Sequence, residues 1–477
     1  MRKTKIICTL GPATESPEVL RQMIEAGANV FRLNMSHAPH DWVRVIVPRI
    51  RAIAVELDVI VGILMDTQGP AIRTGDLPAK LSLHPGDIFE FTVRGTHSEE
   101  LYSVGVNYDG LIDDISVGDT VLVDNGVIHL KVLEKKDNKI RCEVLTEGTL
   151  GSRRHINLPG VKVNLPPLTE KDIADVELGS ELCVDMVALS FCREPGDVEA
   201  LRKVLWENGS QARIVAKLED QMAIKNIDGI IEMADAIMVA RGDLGIECPM
   251  EELPIIQRRI VKRCLKLGRP VIVATHMLES MISAPVPTRA EVTDIANAVF
   301  EQADAIMLSG ETTVGKYPVE CVKVLHRVAS RIEQTGGAGY AKEAMLLDDR
   351  EKTVHSAVVL ANSLPNSKLV IFTRRGFMAD FASNLRPETS PIFAFSPTIE
   401  TCRKLALNWG TQPVQLVFDP NPNRTIASAE ERLVKKGLVK KGDHLVVVSD
   451  LQVGEERFDS IQLRIVGQNV PEKSVLD

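Results

Sequence analysis

The segment RIVAKLED, residues 213–220, is an apolar run that ends on Lys217 and Glu219. Residues two apart on a strand share a face, so an ammonium and a carboxylate leave this strand side by side. Further on, ARGDLGIE (240–247) supplies a second carboxylate, Asp243, between Gly242 and Gly245. Those glycines let backbone N–H groups approach an anion closely, although a Gly-x-x-Gly stretch alone is usually only a turn. Mg²⁺ keeps several waters and takes one or two carboxylates plus substrate oxygens, so Glu219 and Asp243 suit Mg²⁺ or Mn²⁺. Lys217 adds a movable point charge, and Arg32 a planar fork matched to phosphate. Metal, lysine and arginine at one rim are what phosphoryl transfer requires, because its catalysis is mostly positioning and charge neutralisation. Taken alone, Lys217 and Glu219 read equally well as a strand-end salt bridge.

Such a cluster needs strands whose ends meet. Short apolar, β-branched runs recur: KIICTLG, VFRLNMS, VGILMDT, DMVALSF, RIVAKLE, AIMVARGD, PVIVATH and AIMLSGE. Most precede a stretch of helical periodicity, such as SPEVLRQMIEAG or PMEELPIIQRRIVKRCLKLG. Repeated βα units of this number predict an α/β fold, a (β/α)₈ TIM barrel, with a doubly wound open sheet as the alternative. In a barrel the carboxyl ends of the strands build the active site. There lie Arg32, Asn34 and Ser36 after the second run, Asp66 and Thr67 after the third, and Ser190 after the fourth. Lys217 and Glu219, Arg241 and Asp243, Thr275, then Ser309 and Glu311 follow on the fifth to eighth. Their convergence is what lifts the pair at 217 and 219 above a simple salt bridge.

The barrel is expected over residues 1–69 and 167–335, interrupted by a small β-barrel domain at 70–166. In that insert, LSLHPGDIFEFTV and VLVDNGVIHL alternate with period two, and Asn125-Gly126 predicts a type I′ hairpin turn. After Gly336, Gly337 and Gly339 a separate α/β domain, 345–477, is expected to end in an edge strand, SIQLRIVG. GETTVGKY, 310–317, nearly matches a phosphate-binding loop, but Tyr317 stands where Ser or Thr should hold a metal and Pro318 follows. It is rejected as one.

Composition narrows the classes. A net charge of −9 argues against a general nucleic-acid or membrane-surface binder, and 4% aromatic residues leave few stacking platforms for single strands. Eight scattered cysteines with no C-x-x-C pair read as buried reduced thiols in a cytoplasmic protein. No apolar run approaches the ~20 residues of a membrane span.

With these stretches side by side, the sequence resembles the pyruvate kinase family. KTKIICTLGPAT, FRLNMSH, DTQGPAIRTG, LGSRRHINLPGVKVNLPPLTEKD, VAKLED, IMVARGDLGIE, VIVATHMLESMI, PTRAEVTDIANAV and DAIMLSGETTVGKYPVE carry the resemblance nearly end to end. It implies transfer of the phosphoryl group of phosphoenolpyruvate to ADP, giving ATP and pyruvate, and a homotetramer. By motif, Arg32 would bind the phosphate and Lys217 neutralise it, while Glu219 and Asp243 hold Mg²⁺. Gly242, Asp243 and Thr275 would contact phosphoenolpyruvate, with a water near Thr275 and Ser309 delivering the proton to the enolate. Asn34, Ser36, Asp66 and Thr67 match the family's K⁺ site; Asn34, His37, Arg73 and Arg154 lie near the nucleotide. The inserted β domain is expected to act as a lid.

The sequence also departs from the family. Ala71 stands where potassium-dependent members carry Glu and independent ones Lys, so it supplies neither charge; the intact oxygen set favours K⁺ use. His276 replaces the usual Gln, and Arg153 and Arg154 the usual Lys. In the C-terminal domain, FTRRGFMADF keeps Thr373 but puts Arg375 and Met378 where members activated by fructose 1,6-bisphosphate carry hydroxyls. Glu455 and Glu456 in the later loop would repel a bisphosphate, so no strong activation by it is expected. Arg374 and Arg375 could bind a monophosphate or simply be a solvated basic pair. Rival readings are a magnesium-dependent enolate lyase or aldolase, a Schiff-base role for Lys217, and a catalytically silent paralogue.

Overall fold

The computed structural model describes residues 1–453 and 456–468. Eight parallel strands, Lys5–Thr9, Val30–Asn34, Gly62–Asp66, Met186–Leu189, Arg213–Leu218, Ala236–Ala240, Val271–Ala274 and Ala305–Leu308, pair in chain order. The first also pairs with the eighth, Lys5 opposite Ala305, which closes the ring and rules out the open sheet.

Strand alternation decides what the ring contains. One face of each strand packs outward under the helices, with Phe31, Ile63, Val187, Ile214 and Val239 in that core. The other fills the barrel with Ile7, Val30, Leu64, Ala188, Val215 and Met238, and Ala406 and Leu407 from the C-terminal unit plug its amino-terminal end. Each aliphatic side chain fully buried there stabilises the fold by about 1.5–3 kcal/mol. Continuing the same parity towards the carboxyl ends brings Arg32 and Asn34 above Val30, Asp66 above Leu64, Ser190 above Ala188, and Lys217 and Glu219 above Val215. A polar layer therefore caps an apolar plug.

Local signals set the element ends. Helix Pro17–Ala26 starts at Ser16, whose side chain accepts from Val19 N, and stops at Gly27 with φ +114°, a backbone that favours glycine. Helix Glu170–Glu181 has a capping box between Thr169 and Asp172. The other oxygen of Asp172 accepts from Gln68 N and Gly69 N, both at 3.0 Å, and so fixes where the chain leaves the barrel.

The segment that follows forms one six-stranded sheet and one two-stranded sheet around a single core that includes Phe89, Phe91, Val121, Leu130 and Ile140. The segment 72–75 pairs with His155 at one edge of the six-stranded sheet and with Val106 at the other, so backbone bonds close the unit as a small barrel, with the two-stranded sheet packed on the same core. Asn125 and Gly126 have φ +57° and +77°, as the type I′ turn demands, and Val127 N closes onto Asp124 O at 3.3 Å. In the C-terminal unit four parallel strands are followed by Glu456–Ile465, antiparallel at the edge. Glu455 and the side chain of Glu456, expected to repel a bisphosphate, lie outside the described residues. No helix among the described residues is long and apolar enough to cross a membrane.

Candidate active site

The polar layer is a connected network. Lys217 Nζ donates to Ser190 Oγ at 2.7 Å and lies 2.9 Å from Glu219 Oε1 and 3.2 Å from Asp66 Oδ1. Asp66 Oδ2 accepts from Arg32 Nε at 2.6 Å, and Arg32 Nη1 reaches Thr9 Oγ1 at 3.1 Å. Ser190 Oγ bridges onward to Thr67 O at 2.7 Å, while Phe191 N donates to Glu219 Oε2 at 2.6 Å. Around the open side lies a cavity of about 330 Å³ lined by Arg32, Asn34, Ser36, Thr67, Lys217, Glu219 and Asp243. The inserted unit supplies its other wall through Arg73, Asp124, Asn125, Arg153, Arg154 and His155.

Charge in this cavity opposes that of the chain. Burial alone would raise the Asp66 carboxyl, but Arg32 and Lys217 reverse it and hold it below the usual range. Burial likewise works against charge on Lys217, and Asp66 and Glu219 outweigh it, so its ammonium is held. That removes the free amine a Schiff base would need. Glu219 is raised, first by burial and then by the like charge of Asp243, against the pull of Lys217. Two carboxylates repelling one another across a water-accessible cavity are a donor set that a divalent cation relieves. Among the described residues no group of three or more His, Cys, Asp or Glu converges. His155 is pushed down to about 4 by burial and Arg73, so the cavity's positive charge comes from arginine and Lys217.

The remaining expected residues divide. Gly242 N donates to Thr275 Oγ1 at 2.8 Å, where Thr275 and His276 take the left-handed backbone at φ +68° and +56°. Ser309 Oγ is buried without a partner. Neither Thr275 nor Ser309 lines the 330 Å³ cavity, and His37 is exposed outside it, its backbone N on Asn34 O at 3.1 Å. Arg73 donates through Nη1 to Arg153 O at 3.3 Å, and Arg154 pairs with Asp124 at 3.4 Å across the cavity wall.

Two strand-end residues are corrected. Arg241 turns away to Asp294 at 2.7 Å and to Ala274 O at 3.1 Å, bracing the Thr275 turn from behind. Glu311 is consumed by Leu278 N and Ser309 N at 2.9 and 2.7 Å. Conversely, sequence reasoning passed over Asp124, Asn125 and His155 as cavity walls. The Asn-Gly turn marked the hairpin tip, but nothing local says that it faces the barrel mouth.

In the C-terminal unit Thr373 Oγ1 accepts from Gly376 N at 2.9 Å, and the exposed Arg374 stacks over Phe418 at 5.3 Å. Arg375 beside it is exposed.

Comparison with known proteins agrees with this geometry. Residues 1–322 match the family model described as pyruvate kinase, barrel domain, and 351–463 match pyruvate kinase, alpha/beta domain. The chain is 42% identical to plastidial pyruvate kinase 2 of Arabidopsis thaliana over 94% of its own length and 78% of that protein's. It is 39% identical to a pyruvate kinase of Staphylococcus epidermidis over 98% and 81% of the two. A crystal structure of a pyruvate kinase from Cryptosporidium parvum superposes with TM-score 0.92 at 34% identity, covering 98% of this chain and 96% of that one. A closed barrel with a charged mouth, a β insert over it and an α/β tail, together with these matches, place the chain in the pyruvate kinase family.

Proposed function

We propose that the chain moves the phosphoryl group of phosphoenolpyruvate to ADP, giving ATP and pyruvate, with its chemistry at the Lys217 cluster. Arg32 and Lys217 bind the transferring phosphate and neutralise its charge, each already oriented by Asp66. Glu219 and Asp243 would hold Mg²⁺ or Mn²⁺, which when bound supplies positive charge to the phosphate, carboxylate and enolate oxygens. The Gly242 N–H and Thr275 Oγ1, hydrogen-bonded to each other in the free protein, would exchange that bond for the substrate carboxylate. Ser309, whose buried Oγ lacks a partner, and Thr275 hold the water that protonates the enolate. Arg73 and Arg154, with Asn34 and His37, take the nucleotide, and the β unit excludes water above them.

Asn34, Ser36, Asp66 and Thr67 would hold K⁺: one carboxylate kept ionised beside neutral oxygens suits a large monovalent ion. Ala71 lines the same cavity without a charge of its own, which leaves that role open to the ion. We place the domain divisions at 69/70, 166/167 and near 345, and the protein in the cytoplasm as a homotetramer. Its eight cysteines are all free, as a reducing compartment would keep them. Arg374 and Arg375 offer charge to a phosphorylated effector. Thr373 is committed to Gly376, which supports weak response to fructose 1,6-bisphosphate.

The buried ammonium of Lys217 between Asp66 and Glu219 carries this reading, and Lys217→Met tests it. A coupled assay is expected to show turnover reduced by about 10³-fold or more in a folded protein. Near-normal turnover would overturn the role of Lys217. Initial rates with and without K⁺, each with and without phosphorylated effectors, test the ion and the basic pair.

A further inference from the structure

One polar contact between the β unit and the barrel has no part in these roles. Asn157 ends the short strand Ile156–Asn157 at the base of the β unit. Glu247 ends the helix Arg241–Glu247, which also carries Gly242 and Asp243. Asn157 Nδ2 donates to Glu247 Oε1 at 3.0 Å, with the two residues only 6% and 7% exposed. Gln221 Nε2 holds the backbone O of Glu247 at 2.6 Å. The hairpin tip rests on the same helix: a Cβ added to Gly126 would lie 3.2 Å from Ile246 Cγ2.

The contact is half complete. Asn157 Oδ1 is buried with no partner, although a carboxamide in a dry site normally satisfies both its ends. The groups facing Glu247 are mostly acidic: Asp220 after the fifth barrel strand, Asp243 on its own helix, and Glu219 on the wall of the shared 400 Å³ cavity. Arg193 and Lys162 are on that wall too. Burial, only partly offset by the hydrogen bond from Asn157, pushes Glu247 up to about 7, and the like charges of Asp220 and Asp243 add to it. A protonated carboxyl has both a donor and an acceptor. Its O–H matches the unpartnered Oδ1 while its carbonyl keeps the Nδ2–H, giving a two-bond acid–amide pair.

We propose that Asn157 and Glu247 form a latch that holds the β unit on the barrel and positions the helix bearing Gly242 and Asp243. Both are positioning residues, acting through that helix rather than on substrate. The latch strengthens nucleotide capture, because ADP is enclosed between the barrel mouth and the β unit. This rests on reading the β unit as a lid and Asp243 as a metal ligand, so the test includes a readout that needs neither.

Four variants separate the possibilities: Asn157→Leu, Glu247→Leu, Glu247→Gln, and the exchanged pair Asn157→Asp with Glu247→Gln. Glutamine presents the donor and acceptor of the protonated acid, and the exchanged pair rebuilds an acid–amide contact with the roles reversed. Each leucine variant is expected to raise KM for ADP about tenfold, with kcat changed less than threefold. Hydrogen exchange in the helix Arg241–Glu247 should quicken by a similar factor. Glu247→Gln and the exchanged pair should lie within about twofold of the parent in both readouts. Leucine variants with parental KM and exchange would overturn the latch, as would an exchanged pair no better than either leucine variant. A failure of the lid or metal assignment would instead leave the exchange changes standing, since exchange is read without substrate or turnover.

Discussion

The barrel carries a buried ion cluster at each end, and the two are built differently. At the amino-terminal end Asp304 accepts from Arg386 Nη2 at 2.6 Å and from two backbone amides, Val271 N at 3.0 Å and Trp409 N at 3.1 Å. Arg386 gives its remaining donors to the carbonyls of Ser383 and Gln302 and lies over the Trp409 ring. At the mouth, Asp66 is held by Arg32 and Lys217, both through side chains. Charges saturated by backbone are tied to the fold and have nothing left to offer. Charges held by other side chains can exchange partners with a substrate, and the network opens on a cavity that can admit one. The lower cluster joins barrel to C-terminal unit; the upper one is where we propose the chemistry takes place.

That contrast can be broken from either side. Arg386→Met should be the most damaging to the fold, because it strands a buried carboxylate. Unfolding by denaturant is expected to show a loss of about 3–5 kcal/mol, with turnover per folded molecule unchanged. A large fall in kcat at full folding would mean that the lower cluster is not purely structural. Asp66→Asn should show the reverse. Arg32 and Lys217 would lose their shared anchor, and kcat should fall about 10²-fold, equivalent to about 2.7 kcal/mol in the barrier. The sharper form of this test is its K⁺ dependence: the K⁺ concentration for half-maximal rate should rise, and an unchanged value would remove Asp66 from the ion site.

How far the sequence reveals this follows from which periodicity governs each residue. Within the strands period two is enough: Lys217 and Glu219 share the parity of Val215, and Asp66 that of Leu64, so their inward direction is legible. At the strand ends it fails. Arg241 is the first residue of a helix, and Glu311 sits in the short helix Gly310–Thr313, so 3.6-residue geometry turns their side chains aside. Pairings such as Asp304 with Arg386 and Asn157 with Glu247 join residues far apart in the chain, and local pattern carries no record of them. The C-terminal unit's strands and edge were legible as alternation. Its docking through Ala406 and Leu407 is not, since nothing in the local pattern marks those residues as facing the barrel.

The lower cluster also contains a misfit, whose removal should have the smallest effect. Lys5 Nζ lies in the same region and donates to Thr411 O at 2.6 Å. Burial and the nearby Arg2 push it down to about 7, against Glu333 and Asp304. Below pH 7 both folded and unfolded chains carry the proton, so the penalty of burying the ammonium is fully present. Between 7 and the ordinary lysine value of 10.5 the unfolded chain binds the proton more tightly, so stability rises with pH as the folded chain gives its proton up. Lys5→Met fills the space without a charge to bury. It is expected to stabilise the protein by about 1–2 kcal/mol at pH 6, net of the lost hydrogen bond, and by progressively less towards pH 10. Thermal melts of the two proteins across that range measure the difference directly. A gap that stayed constant from pH 6 to 10 would mean that Lys5 keeps its proton throughout, and that the lower cluster satisfies this cation as completely as it satisfies Arg386.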